Sequence, residues 1–143
     1  IVSFRTFMTG ELIALLSQQS EIQCSVQDEG WDDVAFEDAI SDIMGSPQNL
    51  ASKLFGLRAD SLLNGLTGAE AKSKLSGMLI GLELAGAKPF WLGQRVAIVG
   101  DPNLARLYES ALASLYVPAE VENGERMRVL GFKLAHENLI GSG

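Results

Sequence analysis

The sequence predicts an α/β fold, a mostly parallel sheet flanked by helices, and two observations carry that expectation. An apolar strand running into a glycine and at once into a helix occurs twice, in residues 1–16 (IVSFRTFMTGELIALL) and 95–112 (RVAIVGDPNLARLYESAL). In each, the strand is rich in β-branched or aromatic residues and the helix has apolar residues at i, i+3, i+4 spacing. Read in order, the elements also give the string β-α-α-α-α-β-α-β-α, which places helices on the faces of parallel strands. A glycine at such a junction lets another group approach the backbone, and the N–H groups and dipole of the helix start suit a phosphate. Two such junctions in one short chain point to an α/β domain that handles a nucleotide.

Residues 1–8 read as a strand, with Val2, Phe4, Thr6 and Met8 on one face. Thr9 is placed to cap a helix starting at Gly10 that turns Leu12, Leu15 and Leu16 inward. Residues 18–32 are polar and irregular. A second helix, 33–44, presents Phe36, Ala39, Ile40 and Ile43 to the core and ends at Gly45–Pro47. A third, 48–64, turns Leu50, Leu54, Leu57 and Leu62 inward. Thr67-Gly-Ala-Glu70 is a capping box opening a long helix that reaches residue 87. Pro89 and Gly93 interrupt the chain before a strand at 95–99. A helix at 103–115, a strand at 119–121, a turn at Asn123-Gly124 and a last helix at 125–138 complete the order.

The 143 residues suit one domain, 1–143, with room for a core, and an apolar share of 47% argues against disorder. A net charge of −7 without a Lys/Arg cluster excludes a nucleic-acid footprint. Cys24 is the sole cysteine, so no internal disulfide forms, which fits a reducing cytoplasm. The longest strongly apolar helical stretch, 75–87, is too short to span a membrane and carries Glu83, and no signal-peptide pattern appears. The chain starts at Ile1 inside the expected strand, without methionine, and so reads as a fragment or a processed piece.

His136, the sole histidine, reads as a surface residue of the last helix, since nothing around Ser110 or Ser114 resembles a nucleophile elbow. One cysteine and one histidine do not make a zinc site. The acidic run from Asp28 to Asp33 could bind a divalent ion, but reads rather as cap and first-turn charge for the next helix. Cys24 has no base near it in sequence and reads as a loop or partly buried thiol in preference to a nucleophile. Gly77, Gly81 and Ala85 fall at i, i+4, i+8 beside the apolar stripe Leu75, Met78, Leu79 and Leu82. Each mid-helix glycine costs about 1 kcal/mol against alanine, so the pair implies close approach of another helix in preference to a ligand. Gly100-Asp101-Pro102-Asn103 has two readings. It is an adequate turn, with Asp or Asn as cap and Pro at the first helical position. It also lies at a strand's carboxyl end, where open α/β sheets bind ligands. Neither a Walker A motif nor G-x-G-x-x-G is present, which argues against P-loop and Rossmann chemistry.

The stretches Phe4-Arg-Thr-Phe-Met-Thr-Gly-Glu-Leu12, Leu75-Ser-Gly-Met-Leu-Ile-Gly-Leu-Glu83 and Ile98-Val-Gly100, with Leu104 and Tyr108, resemble the second half of the 2-dehydro-3-deoxygalactonokinase family in order and spacing. FRTxMTGEL and LSGxLIGxE are its distinctive parts. That family resembles the sugar-kinase and actin-like ATPase superfamily, in which ATP lies between two ribonuclease H-like lobes. The resemblance implies a C-terminal nucleotide-binding lobe and transfer of the ATP γ-phosphoryl group to the 6-hydroxyl of 2-dehydro-3-deoxy-D-galactonate. ATP and Mg²⁺ are the implied cofactors, and a sugar acid the implied substrate. By analogy Thr9, Gly10 and Glu11 lie along the ribose and phosphates, and Gly100, Asp101 and Asn103 form the adenosine-binding turn. The long helix would cross its counterpart between lobes, accounting for Gly77 and Gly81.

Asp101 stands where the superfamily's adenosine turn often has a second glycine. The first lobe, with its phosphate loop and catalytic aspartate, and a GTHSK-like hairpin expected just before Ile1, are missing from this sequence. No catalytic residue and no metal ligand is therefore assigned, and the segment alone is expected to be inactive. The reading from another class is a non-catalytic α/β binding or assembly module whose glycine junctions are only turns. The sequence does not fix the stereochemistry of the sugar or the oligomeric state, a homo-oligomer included.

Overall fold

The computed structural model describes residues 5–26 and 29–122. Its elements are α1 (Thr9–Gln19), α2 (Asp33–Gly45), α3 (Leu50–Leu63), α4 (Gly68–Gly86), the short α5 (Lys88–Trp91), β1 (Val96–Val99), α6 (Pro102–Ser114) and β2 (Ala119–Glu122), with 3₁₀ turns at Gln23–Ser25 and Pro47–Asn49. The chain divides between Leu92 and Gly93 into two compact units. The fold is α/β, largely helical, with a small parallel sheet.

In the first unit, α2 and α4 form the spine. Phe36, Ile40 and Ile43 of α2 and Leu75 and Ile80 of α4 are fully buried, as the helical spacing of α2 predicts. Asp32 caps α2 by accepting from the Ala35 N–H, and Asp33 supplies acidic first-turn charge. The end of the acidic run is thus used as a cap. The Ser73 hydroxyl of α4 accepts from the Asp32 N–H at 2.9 Å and lies 2.8 Å from the Ala69 carbonyl, to which it donates. A fully buried serine thereby ties the start of α2 to α4. The capping box at Thr67 and Glu70 forms in both directions.

The glycine stripe of α4 faces α2. A Cβ at Gly77 would stand 2.5 Å from the Phe36 carbonyl oxygen, and one at Gly81 would stand 3.2 Å from the Ile40 Cα. The backbone that requires these glycines belongs to this chain. That replaces the expectation that a counterpart helix of another lobe accounts for them.

Other expectations need correction. Residues 5–8 form no strand and are exposed, while residues 1–4 of the expected strand lie outside the described residues. The first helix starts at Thr9, with Met8 in the cap position and no side-chain cap hydrogen bond. Thr9 is buried inside the first turn and caps nothing. Leu12, Ile13 and Leu16 pack against the core, whereas Leu15 is exposed. On α3, Leu50 and Leu54 pack against the core and Leu57 is buried in it, but Leu62 is 73% exposed. It follows Leu57 by five residues, about 1.4 turns, and so leaves the inward stripe. The turn Asn123-Gly124, the last helix and His136 lie outside the described residues.

In the second unit β1 and β2 pair in parallel, with Val96 opposite Ala119 and Val99 opposite Glu122. A parallel pair needs a crossover connection, and α6 supplies it, burying Ala105, Ala111 and Leu112.

Candidate functional site

The six candidate residues fall on two helix starts, one in each compact unit. At α1, Thr9 is buried, Gly10 half-buried and Glu11 exposed. The first intrahelical bond runs from the Leu12 N–H to the Met8 carbonyl at 2.9 Å. Among the described residues no side chain caps the N–H groups that precede it. Gly10 has helical backbone, whereas positive φ among the described glycines occurs at Gly65, Gly93 and Gly100. This start therefore offers main-chain donors and the positive end of a helix dipole, with Glu11 the one charge in its first turn.

The start of α6 is different. Asp101 is its N-cap, and one carboxylate oxygen accepts from the N–H groups of Asn103 and Leu104, each at 3.0 Å. Pro102 has no N–H, and the Ala105 N–H bonds the Asp101 carbonyl at 2.8 Å. Every donor of the first turn is accounted for, and a carboxylate already sits on the dipole. The first turn of α6 itself has no main-chain donor left for a phosphate. What it exposes is Gly100, where an added Cβ would meet nothing within 4 Å, and the exposed side chain of Asn103.

A cleft of about 400 Å³ lies at the amino ends of the same two strands, with Arg95, Ala97, Pro118 and Glu120 among its lining residues. It is at the opposite end of β1 from Gly100 and contains none of the candidates. Among the described residues no three His, Cys, Asp or Glu side chains gather where they could hold a metal ion. None of the described helices is long and apolar enough to cross a membrane. Cys24 is a free, exposed thiol.

The family described as 2-keto-3-deoxy-galactonokinase matches residues 1–135. The chain belongs to that family. A 2-dehydro-3-deoxygalactonokinase of Rhizobium meliloti is 37% identical over 118 residues, covering 80% of this chain and 39% of the relative. The Escherichia coli enzyme of that name is 31% identical over 116 residues, again with 39% of its length covered. A crystal structure of a 2-dehydro-3-deoxygalactonokinase protein from Sinorhizobium meliloti superposes with a TM-score of 0.84 at 33% identity, over 96% of this chain and 47% of that one. The chain thus spans less than half the length of these galactonokinase relatives. Arg5 lies inside the family-like stretch 4–12, and no local pattern in the sequence marks it as functional. Its contacts are to residues more than eighty positions away.

Proposed function

We propose that this chain is the C-terminal, nucleotide-binding lobe of a cytoplasmic sugar-acid kinase with a ribonuclease H-like fold, acting as one domain over residues 1–143. In the complete enzyme the ATP γ-phosphoryl group passes to the 6-hydroxyl of 2-dehydro-3-deoxy-D-galactonate. The observation that carries this reading is the family match over residues 1–135, supported by relatives named for that kinase activity.

The two helix starts then take different parts. Gly10 and the uncapped N–H groups of the first turn of α1 lie along ribose and phosphates, with Thr9 anchoring the turn and Glu11 at its rim. Gly100, Asp101 and Asn103 take the uncharged adenosine side, because α6 has no N–H left for a phosphate. Phosphoryl transfer needs mainly positioning and charge stabilisation, so this lobe orients ATP. A carboxylate from the part of the enzyme beyond this chain accepts the hydroxyl proton. Closure of the two lobes excludes water. Mg²⁺ would neutralise charge on the ATP phosphates in the complete enzyme.

The test compares the complete enzyme with the segment 1–143. The complete enzyme is expected to phosphorylate 2-dehydro-3-deoxy-D-galactonate in an ATP-dependent reaction, and the segment alone to show none. Robust turnover by the segment would sink the split-site assignment, and absence of turnover by the complete enzyme would sink the substrate.

A further inference from the structure

We propose that Arg5 is a positioning residue for the nucleotide site. With Phe7 it pins the strap entering α1 onto the C-terminal end of α4, and so fixes where Thr9, Gly10 and Glu11 present their backbone. The inference rests on the reading of that turn as the ribose and phosphate contact.

Arg5 Nη1 donates to the Gly86 carbonyl at 3.4 Å. Gly86 is the last residue of α4, a helix with no basic residue in its own last turn. The final carbonyls of a helix carry partial negative charge and favour a cation, and Arg5 brings one from 81 residues away. Its guanidinium also lies 5.8 Å from the centroid of the Phe90 ring, within cation–π range. The Phe7 ring lies against the same helix end, since a Cβ at Gly86 would be 3.5 Å from Phe7 Cε1.

The platform is itself held in place. Trp91 of α5 is buried, and its indole N–H donates to the Leu84 carbonyl at 2.8 Å. The tether from this platform to the site is short. Three residues stand between Arg5 and Thr9, four Cα steps or about 14 Å at full extension. Thr9 is also the one fully buried residue of α1; Leu12, Ile13 and Leu16 pack against the core from partly buried positions further along the helix, so the entry to the first turn is held by the strap.

The experiment uses the complete enzyme with Arg5→Ala and Arg5→Lys. Amide hydrogen exchange across α1 and α2 is followed together with kcat and KM for ATP. For Arg5→Ala, exchange at the start of α1 is expected to rise roughly threefold to tenfold, with α2 unchanged. KM for ATP should rise by a similar factor and kcat change less. Lysine keeps the charge but loses the planar stack, and should restore part of both. Unchanged exchange in α1 would overturn the strap whatever the kinetics show. Faster exchange with an unchanged KM for ATP would overturn the link to the nucleotide and place the fault in the reading of Thr9–Glu11.

Discussion

At Gly77 a neighbouring backbone leaves no room for a side chain and at Gly81 it leaves little, whereas at Gly100 an added Cβ would meet nothing within 4 Å. The first pair is required by packing within the chain, where α4 lies against α2. Gly100 is not held by packing, although its φ of +158° is one that side chains rarely adopt. Gly10 is an ordinary helical residue at a half-buried position. Glycines that look alike in the sequence therefore answer to different demands. Those in the spine are tested by stability, and those at the helix starts by ligand binding.

The largest expected stability effect is at the spine. Gly77→Ala drives a methyl group against the Phe36 carbonyl, a backbone atom that cannot move aside cheaply, and should destabilise by about 1–3 kcal/mol. Gly81→Ala has a softer contact at 3.2 Å. Alanine's helix preference of ~1 kcal/mol offsets much of the strain there, so a clearly smaller loss is expected. Thermal or denaturant unfolding of the two variants checks the order. Equal losses would break the distinction between a closed and a nearly closed seam.

A smaller effect separates the two helix starts. Asp101→Ala removes the cap of α6 and should lower stability by about 1 kcal/mol. Thr9→Ser keeps the hydroxyl but deletes a buried methyl group, with an expected loss of about 0.8 kcal/mol. Since Thr9 caps nothing, replacing its hydroxyl by a methyl group in Thr9→Val should unfold α1 no more readily than deleting its methyl in Thr9→Ser. A larger loss for Thr9→Val than for Thr9→Ser, read by the same unfolding assay, would restore Thr9 as a polar partner of the helix start.

The parts legible in the sequence were those set by local pattern. The stripe Phe36, Ala39, Ile40 and Ile43 follows a 3.6-residue period, and Asp32 and Thr67 are capping residues at the starts of such stripes. The misjudged parts depend on partners far along the chain. Ile22 and Val26 are buried around a 3₁₀ turn too short to show a period. Residues 5–8 have strand-like composition, but a strand needs a neighbour to pair with, and Arg5 instead reaches Gly86. At the candidate site Gly100 stands between β1 and α6 as the sequence predicts, whereas Gly10 lies inside the first turn of α1 with no strand at residues 5–8 before it. The sequence did not show that one Asp101 oxygen takes two N–H groups of α6, which leaves the α1 start as the one suited to an anion.

Gly10→Ala in the complete enzyme tests this account most directly. At a helical position alanine should be neutral or favourable by up to ~1 kcal/mol, so the melting temperature should stay near native. If the backbone of the first turn lies against ribose or phosphate, the added methyl group displaces the nucleotide. A displacement of ~1 Å can cost about a hundredfold in rate. The expected result is near-native stability with kcat/KM for ATP lowered on the order of a hundredfold. Near-native kinetics together with near-native stability would contradict it and remove the start of α1 from the nucleotide site.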